Sequence, residues 1–184
     1  MQLIRHTPNI FTIDSFWTKK QCEDFIAKSE SIGYEPATVT TENGDIIVKE
    51  VRNNNRVIYQ DIALAESLWQ EAKPFAPTKF GNSLAVGLNE LFRFYKYLPG
   101  QQFKKHRDQS FIRNDREASY FTFMIYLNDG YEGGETTFND LIIQPQQGTA
   151  LIFQHDLEHE CASVTQGVKY VLRTDIMFQL QDSE

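Results

Sequence analysis

The sequence predicts an α+β chain, with two amphipathic helices in its first half and a sandwich-like or barrel-like β core after them. Three observations carry this. A capping box followed by apolar residues at helical spacing marks one early helix, and a second is expected to stop before Pro74. From Leu91 onward the pattern changes to aromatic and β-branched runs. Turn signals separate those runs at Leu98-Pro99-Gly100, Asn128-Asp129-Gly130, Gly133-Gly134, Gln147-Gly148 and Gln166-Gly167.

The elements follow in order. Residues 10–13 read as a short strand. Thr18-Lys19-Lys20-Gln21 has the form of a capping box, in which side chain and backbone of the first turn satisfy each other. Cys22, Phe25, Ile26, Ser29 and Ile32 continue at helical spacing until Gly33, a residue suited to end the helix. Residues 48–57 are polar and turn-rich, which predicts a loop between strands. A second helix is expected over 61–73; it stops before Pro74, because proline pushes the residue before it out of the α region. Strands are expected at 91–97, 120–127, 141–143, 149–153 and 168–180. The expected organisation is one domain over 1–184, its core at about 85–180 resting on helical support from about 1–84.

Two of these strands divide their side chains by face, because strand residues alternate sides. Phe121, Phe123, Ile125 and Leu127 make one apolar face, with Thr122, Met124 and Tyr126 on the other. In the last strand Val168, Tyr170, Leu172, Ile176 and Phe178 oppose Lys169, Arg173 and Asp175. Two readings fit: polar groups lining a cavity inside the protein, or a sheet surface facing solvent.

A hydrophobic share of 41% supports a sizeable core, and a net charge of -7 argues against a broad nucleic-acid surface. Cys22 and Cys161 are the two cysteines. So few, so far apart, they fit a reduced cytoplasmic protein better than a disulfide scaffold. The N-terminus shows no signal-peptide pattern, and no stretch is apolar enough for a membrane span.

His106-Arg107-Asp108 is the most informative motif. On an extended strand its histidine and aspartate would share one face. One distant histidine would complete a two-histidine, one-carboxylate set, the ligand pattern of non-haem Fe(II) oxygenases. His159 is the candidate; His6 reads as structural or surface. His155-Asp156-Leu157-Glu158-His159 also fits the H-x-x-E-H zinc pattern, but that pattern needs a helix, and its flanks read as strands. Lys169 lies on the inward face of the last strand. A buried lysine is costly unless it meets an anion. Arg173 is the rival cation.

The chain resembles the 2-oxoglutarate- and Fe(II)-dependent dioxygenases of the prolyl 4-hydroxylase type. The resemblance rests on residues 93–108 (RFYKYLPGQQFKKHRD), 126–136 (YLNDGYEGGET), His159-Glu160 and 169–175 (KYVLRTD), and runs from about Phe11 to Phe178. It implies a double-stranded β-helix (jelly-roll) with N-terminal helices on one face. It implies iron ligands at His106, Asp108 and His159, and a 2-oxoglutarate anchor at Lys169, with Tyr97 bonding the same carboxylate and Thr122 near it. Glu132-Gly133-Gly134-Glu135-Thr136 would shape a hairpin near the site. Cys161 departs from the family, which often has glycine there. The segment from Arg52 to Arg56 stands where relatives place a substrate-covering loop; Arg52, Asn55, Arg56 and Arg173 are the substrate-contact candidates.

The implied activity is hydroxylation of an unactivated C–H bond, with Fe(II), 2-oxoglutarate and O2 as cofactors and co-substrates and ascorbate as a reductant. The substrate expected first is a peptidyl proline. Two alternatives stand beside it: a free amino acid, small metabolite or other protein side chain, and a non-catalytic metal-binding or sensor domain. Nucleic-acid and membrane partners are not expected.

Overall fold

Both helices form where expected, the first between the caps expected of it. The computed structural model describes residues 1–41 and 44–182. In helix α1 (Lys19–Ile32) the Thr18 side chain accepts from the Gln21 backbone, and the Gln21 side chain accepts from the Thr18 backbone N–H at 2.9 Å. Gly33 ends it at φ 94°, a conformation costly for a residue with a Cβ. Helix α2 (Ile62–Ala72) is capped by Asp61, whose side chain accepts from Leu64 N at 2.9 Å. Among the described residues no helix is long and apolar enough to cross a membrane.

The large sheet is antiparallel throughout. Its main path runs β1 (Gln2–Thr7), β2 (Ile10–Asp14), β10 (Ala150–Gln154), β7 (Glu117–Tyr126), β12 (Lys169–Leu180), β5 (Leu91–Tyr97) and β3 (Asn55–Gln60). β4 (Ser83–Leu88) joins the far end of β12. A second sheet is ordered β6 (Phe103–His106), β11 (His159–Cys161), β8 (Thr136–Phe138) and β9 (Leu141–Ile143). The first 84 residues therefore supply more than helical support: β2 hydrogen-bonds β10 and β3 hydrogen-bonds β5. The loop expected over 48–57 ends early, because Asn55, Arg56 and Val57 already belong to β3.

Period-two alternation separates two cores. Phe92, Phe94, Phe121, Phe123, Ile125, Leu172, Ile176 and Phe178 pack with Cys22, Leu68, Trp69 and Ala72 of the helices. The opposite faces of the same strands supply Tyr95, Tyr97, Met124, Tyr126 and Val171 to the space that Phe138, Ile143 and Val164 close from the other side. This decides between the two readings of the polar face. Lys169 and Asp175 are each 1% exposed, so that face looks into the protein and not to solvent. Burying each large aromatic ring stabilises the fold by about 2 kcal/mol, which is how both sides of one sheet hold their positions.

Candidate metal centre

His106 ends β6 and His159 begins β11, directly opposite each other in the ladder. Asp108 is placed differently from expectation. It lies beyond the end of β6, so strand alternation does not bring it to the histidines. Its backbone N–H donates instead to the carbonyl of His155 at 3.1 Å, which turns the chain back over the site. The ligand atoms of His106, Asp108 and His159 all fall within 4.8 Å of one another. His106 Nε2 is 3.7 Å from Asp108 Oδ1, and His159 Nε2 is 3.8 Å from Asp108 Oδ2.

The donor set fits a divalent metal ion. His106 Nδ1 donates to the carbonyl of Lys104 at 2.8 Å, and His159 Nδ1 donates to that of Leu157 at 3.0 Å. Each Nε2 therefore keeps its lone pair and turns it toward Asp108, as a metal ligand requires. Burial lowers the His106 pKa to about 3 and lowers that of His159 as well, so both rings are neutral near pH 7. Burial opposes the charged form of Asp108, but Arg173 and the two histidines outweigh it and hold the carboxyl well below its usual range. The H-x-x-E-H alternative fails on geometry: His155 and Asp156 sit in a turn, and His155 Nε2 lies 3.5 Å from Asp175 Oδ1.

These shifts predict acid sensitivity in the metal-free protein. The unfolded chain protonates His106 near pH 6.5, while the folded protein resists until about pH 3. Between those values the unfolded state binds more protons, so stability falls as pH falls. The expected loss for this group is on the order of 5 kcal/mol across that window. Urea unfolding at pH 7, 5.5 and 4, with and without a divalent metal, checks it; a flat metal-free profile contradicts the burial of a neutral ring.

A cavity opens from the triad into the fold. Lys169 lines it, 1% exposed, directly across the β5–β12 ladder from Tyr97. Its Nζ donates to the Gly134 carbonyl at 2.6 Å, contacts Cys161 Sγ at 3.2 Å, and lies 5.4 Å from the ring centres of both Tyr97 and Tyr126. Among the described residues it has no carboxylate partner. Desolvation is the main reason the Tyr97 phenol titrates well above its usual value, with Cys161 adding to it. Arg173, the rival cation, is committed elsewhere: its Nη2 lies 3.2 Å from Asp108 Oδ2 and 3.1 Å from Asp175 Oδ1.

The other expected residues divide. Thr122 lines the cavity, but its hydroxyl donates to Asp108 Oδ2 at 2.5 Å, so it bonds the metal-ligand candidate. Arg52 and Arg56 line an adjoining outer cavity that Arg173 also reaches. Asn55 lines neither; it pairs with Lys96 in the β3–β5 ladder. Tyr95 was not anticipated. It lines both cavities, and its place two residues before Tyr97 on one strand was the available signal.

Gly133-Gly134 positions the lysine. Gly134 has φ 69°, its carbonyl holds Lys169 Nζ, and an added Cβ would stand 3.2 Å from Lys169 Cδ and 3.0 Å from Val164 Cγ2. Gly134→Ala is expected to destabilise the protein by about 1–2 kcal/mol and to weaken whatever Lys169 binds. Thermal unfolding together with a 2-oxoglutarate titration checks both effects.

Comparison with known proteins agrees with this geometry. Residues 92–174 match the family model of the 2OG-Fe(II) oxygenase superfamily. Prolyl 4-hydroxylase 13 of Arabidopsis thaliana is 26% identical over 174 residues, covering 79% of this chain; the chain spans 59% of that relative's length. A prolyl hydroxylase from Trichoplax adhaerens, solved with a hypoxia inducible factor peptide fragment, superposes with TM-score 0.71 at 15% identity, covering 92% of this chain and 84% of that one. A viral collagen prolyl hydroxylase from Paramecium Bursaria Chlorella virus-1, solved as a 2OG complex, gives 0.63 at 18% identity, covering 94% and 97%. Residues 92–174, which hold the whole triad and the buried lysine, match the 2OG-Fe(II) oxygenase superfamily model, and the chain shares its fold with the prolyl hydroxylase structures.

Proposed function

We propose that this chain is a 2-oxoglutarate- and Fe(II)-dependent hydroxylase whose substrate is a peptidyl proline. One observation carries the reading: a fully buried lysine, without a carboxylate partner among the described residues, lines the same cavity as a two-histidine, one-carboxylate cluster. His106, Asp108 and His159 would hold Fe(II), and Lys169 with Tyr97 would hold the distal carboxylate of 2-oxoglutarate. Iron bound there supplies oxidative decarboxylation of 2-oxoglutarate by O2, giving succinate and carbon dioxide and one oxygen atom for a substrate C–H bond; ascorbate serves as auxiliary reductant.

The chain's own residues position and shield. Neutral imidazoles present their Nε2 lone pairs. Thr122 and Arg173 fix the Asp108 carboxylate. Phe103, Met124, Phe153 and Val171 make the cavity wall apolar, which limits water at the reacting centre. The choice of proline rests on the prolyl hydroxylases similar in sequence and fold. A cytoplasmic location belongs to the same proposal, supported by Cys22 and Cys161 both being free thiols.

The test is succinate formation from 2-oxoglutarate with Fe(II) and O2, alone and with proline-containing peptides, with the peptides analysed by mass for an added oxygen. Succinate together with hydroxylated proline is expected. No consumption of 2-oxoglutarate under any of these conditions rejects the reading.

A further inference from the structure

The triad cavity shares Tyr95, Phe103, His106, Asp108 and Arg173 with an outer cavity. Its lining is cationic for a chain of net charge -7: among the described residues that line it, Arg52, Arg56, Arg93, Arg107 and Arg173 stand beside one carboxylate, Asp108. Part of that charge is matched. Arg173 pairs with Asp108 and Asp175, and Arg93 lies 3.3 Å from Asp175. Arg107 is exposed, and Arg56 donates to the Thr38 hydroxyl at 2.8 Å.

Arg52 differs from these. It is 5% exposed, and its guanidinium lies 4.5 Å from the Tyr95 ring centre and 4.4 Å from that of Phe103. Nε donates to Asn54 Oδ1 at 2.7 Å, while Nη2 is buried and has no hydrogen-bond partner among the described residues. Among the described residues no carboxylate lies within ion-pairing distance. A guanidinium this close to two ring centres and bonded through Nε has little freedom to turn, and its donor fork suits two parallel bonds to a carboxylate. The Tyr95 phenol reports the local field. Burial would raise its pKa, yet Arg173, Arg52 and Arg93 bring it down to about 8.

We infer that the substrate carries a carboxylate close to the hydroxylated carbon, and that this carboxylate docks on Arg52 at the mouth of the iron cavity. The inference rests on the hydroxylase reading and names the chemistry of its substrate. In the peptide form of that reading the carboxylate belongs to a glutamate or aspartate next to the target proline. A free α-carboxylate on a small proline derivative offers the same chemistry.

Two matched pairs test it on the wild-type protein with Fe(II) and 2-oxoglutarate: proline peptides differing only by Glu or Gln beside the proline, and free proline against prolinamide. Affinity is read by calorimetry and product by mass. The acidic peptide is expected to bind and react at least tenfold better than its Gln twin, with the ratio falling to within about threefold in Arg52→Gln and staying intermediate in Arg52→Lys. Discrimination confined to the proline pair supports the carboxylate and assigns it to a small molecule. Equal affinity and equal turnover within both pairs overturns the inference, even if 2-oxoglutarate is consumed. A carboxylate preference in affinity without any 2-oxoglutarate consumption supports the anion site while rejecting the hydroxylase reading. The wild-type pairs decide even if Arg52→Gln fails to fold.

Discussion

His106→Ala is expected to abolish 2-oxoglutarate turnover, with a rate loss of at least about a thousandfold. Changes to groups that merely support a metal ligand cost roughly 10- to 100-fold in affinity or activity, so loss of a ligand itself should cost more. No neighbour can substitute. His155, the nearest alternative in sequence to His159, lies against Asp175 on a different carboxylate. The fold should survive, because His106 closes a short strand and its ring stacks on Phe103 at 3.4 Å rather than filling either core. The variant should also lose part of the acid sensitivity of the metal-free protein, since one neutral ring that resists protonation is gone. Iron binding by calorimetry, succinate release and urea unfolding at pH 7 and 4 separate these effects. A folded His106→Ala protein that decarboxylates 2-oxoglutarate at the wild-type rate removes His106 from the metal site.

Much of this molecule was legible because its strands are buried on both faces and keep strict alternation. β5 and β9 run as their apolar pattern indicates, and the division of β7 and β12 into core-facing and cavity-facing sides follows from period two alone. The capping box at Thr18 was equally readable, since its bonds are local. What was hidden depends on contacts distant in sequence. β1 is an edge strand exposed along most of its length, so it carries no hydrophobic alternation. Asp108 reaches the histidines through a backbone bond to residue 155, which no spacing rule encodes. Thr122 and Arg173 stood on the correct inward face, but their partner could not be read there, because the carboxylate they hold arrives from a loop. The inward direction of a side chain is a property of its strand; its bonding partner is a property of the assembled fold.

Lys169→Ala is expected to raise the 2-oxoglutarate concentration needed for half-maximal turnover by roughly 10²- to 10³-fold, while iron binding stays close to wild type. Breaking a buried ion pair by removing one partner costs about 3–5 kcal/mol, and a hydrogen bond to a charged group contributes about 1.5–3 kcal/mol; tenfold corresponds to about 1.4 kcal/mol. Lys169 is remote enough from the metal ligands to make the two effects separable: its Nζ bonds Gly134 and Cys161, not His106, Asp108 or His159. Arg173→Ala supplies the contrast. Arg173 neutralises Asp108 and Asp175 together, so its loss leaves two buried carboxylates undercompensated and should lower stability and iron affinity first. Lys169→Met, which keeps the side chain's apolar bulk, distinguishes loss of charge from loss of packing. If Arg173→Ala selectively raises the 2-oxoglutarate requirement and Lys169→Met leaves it unchanged, the anchor is Arg173, and the cavity between Tyr97 and Lys169 holds some other group.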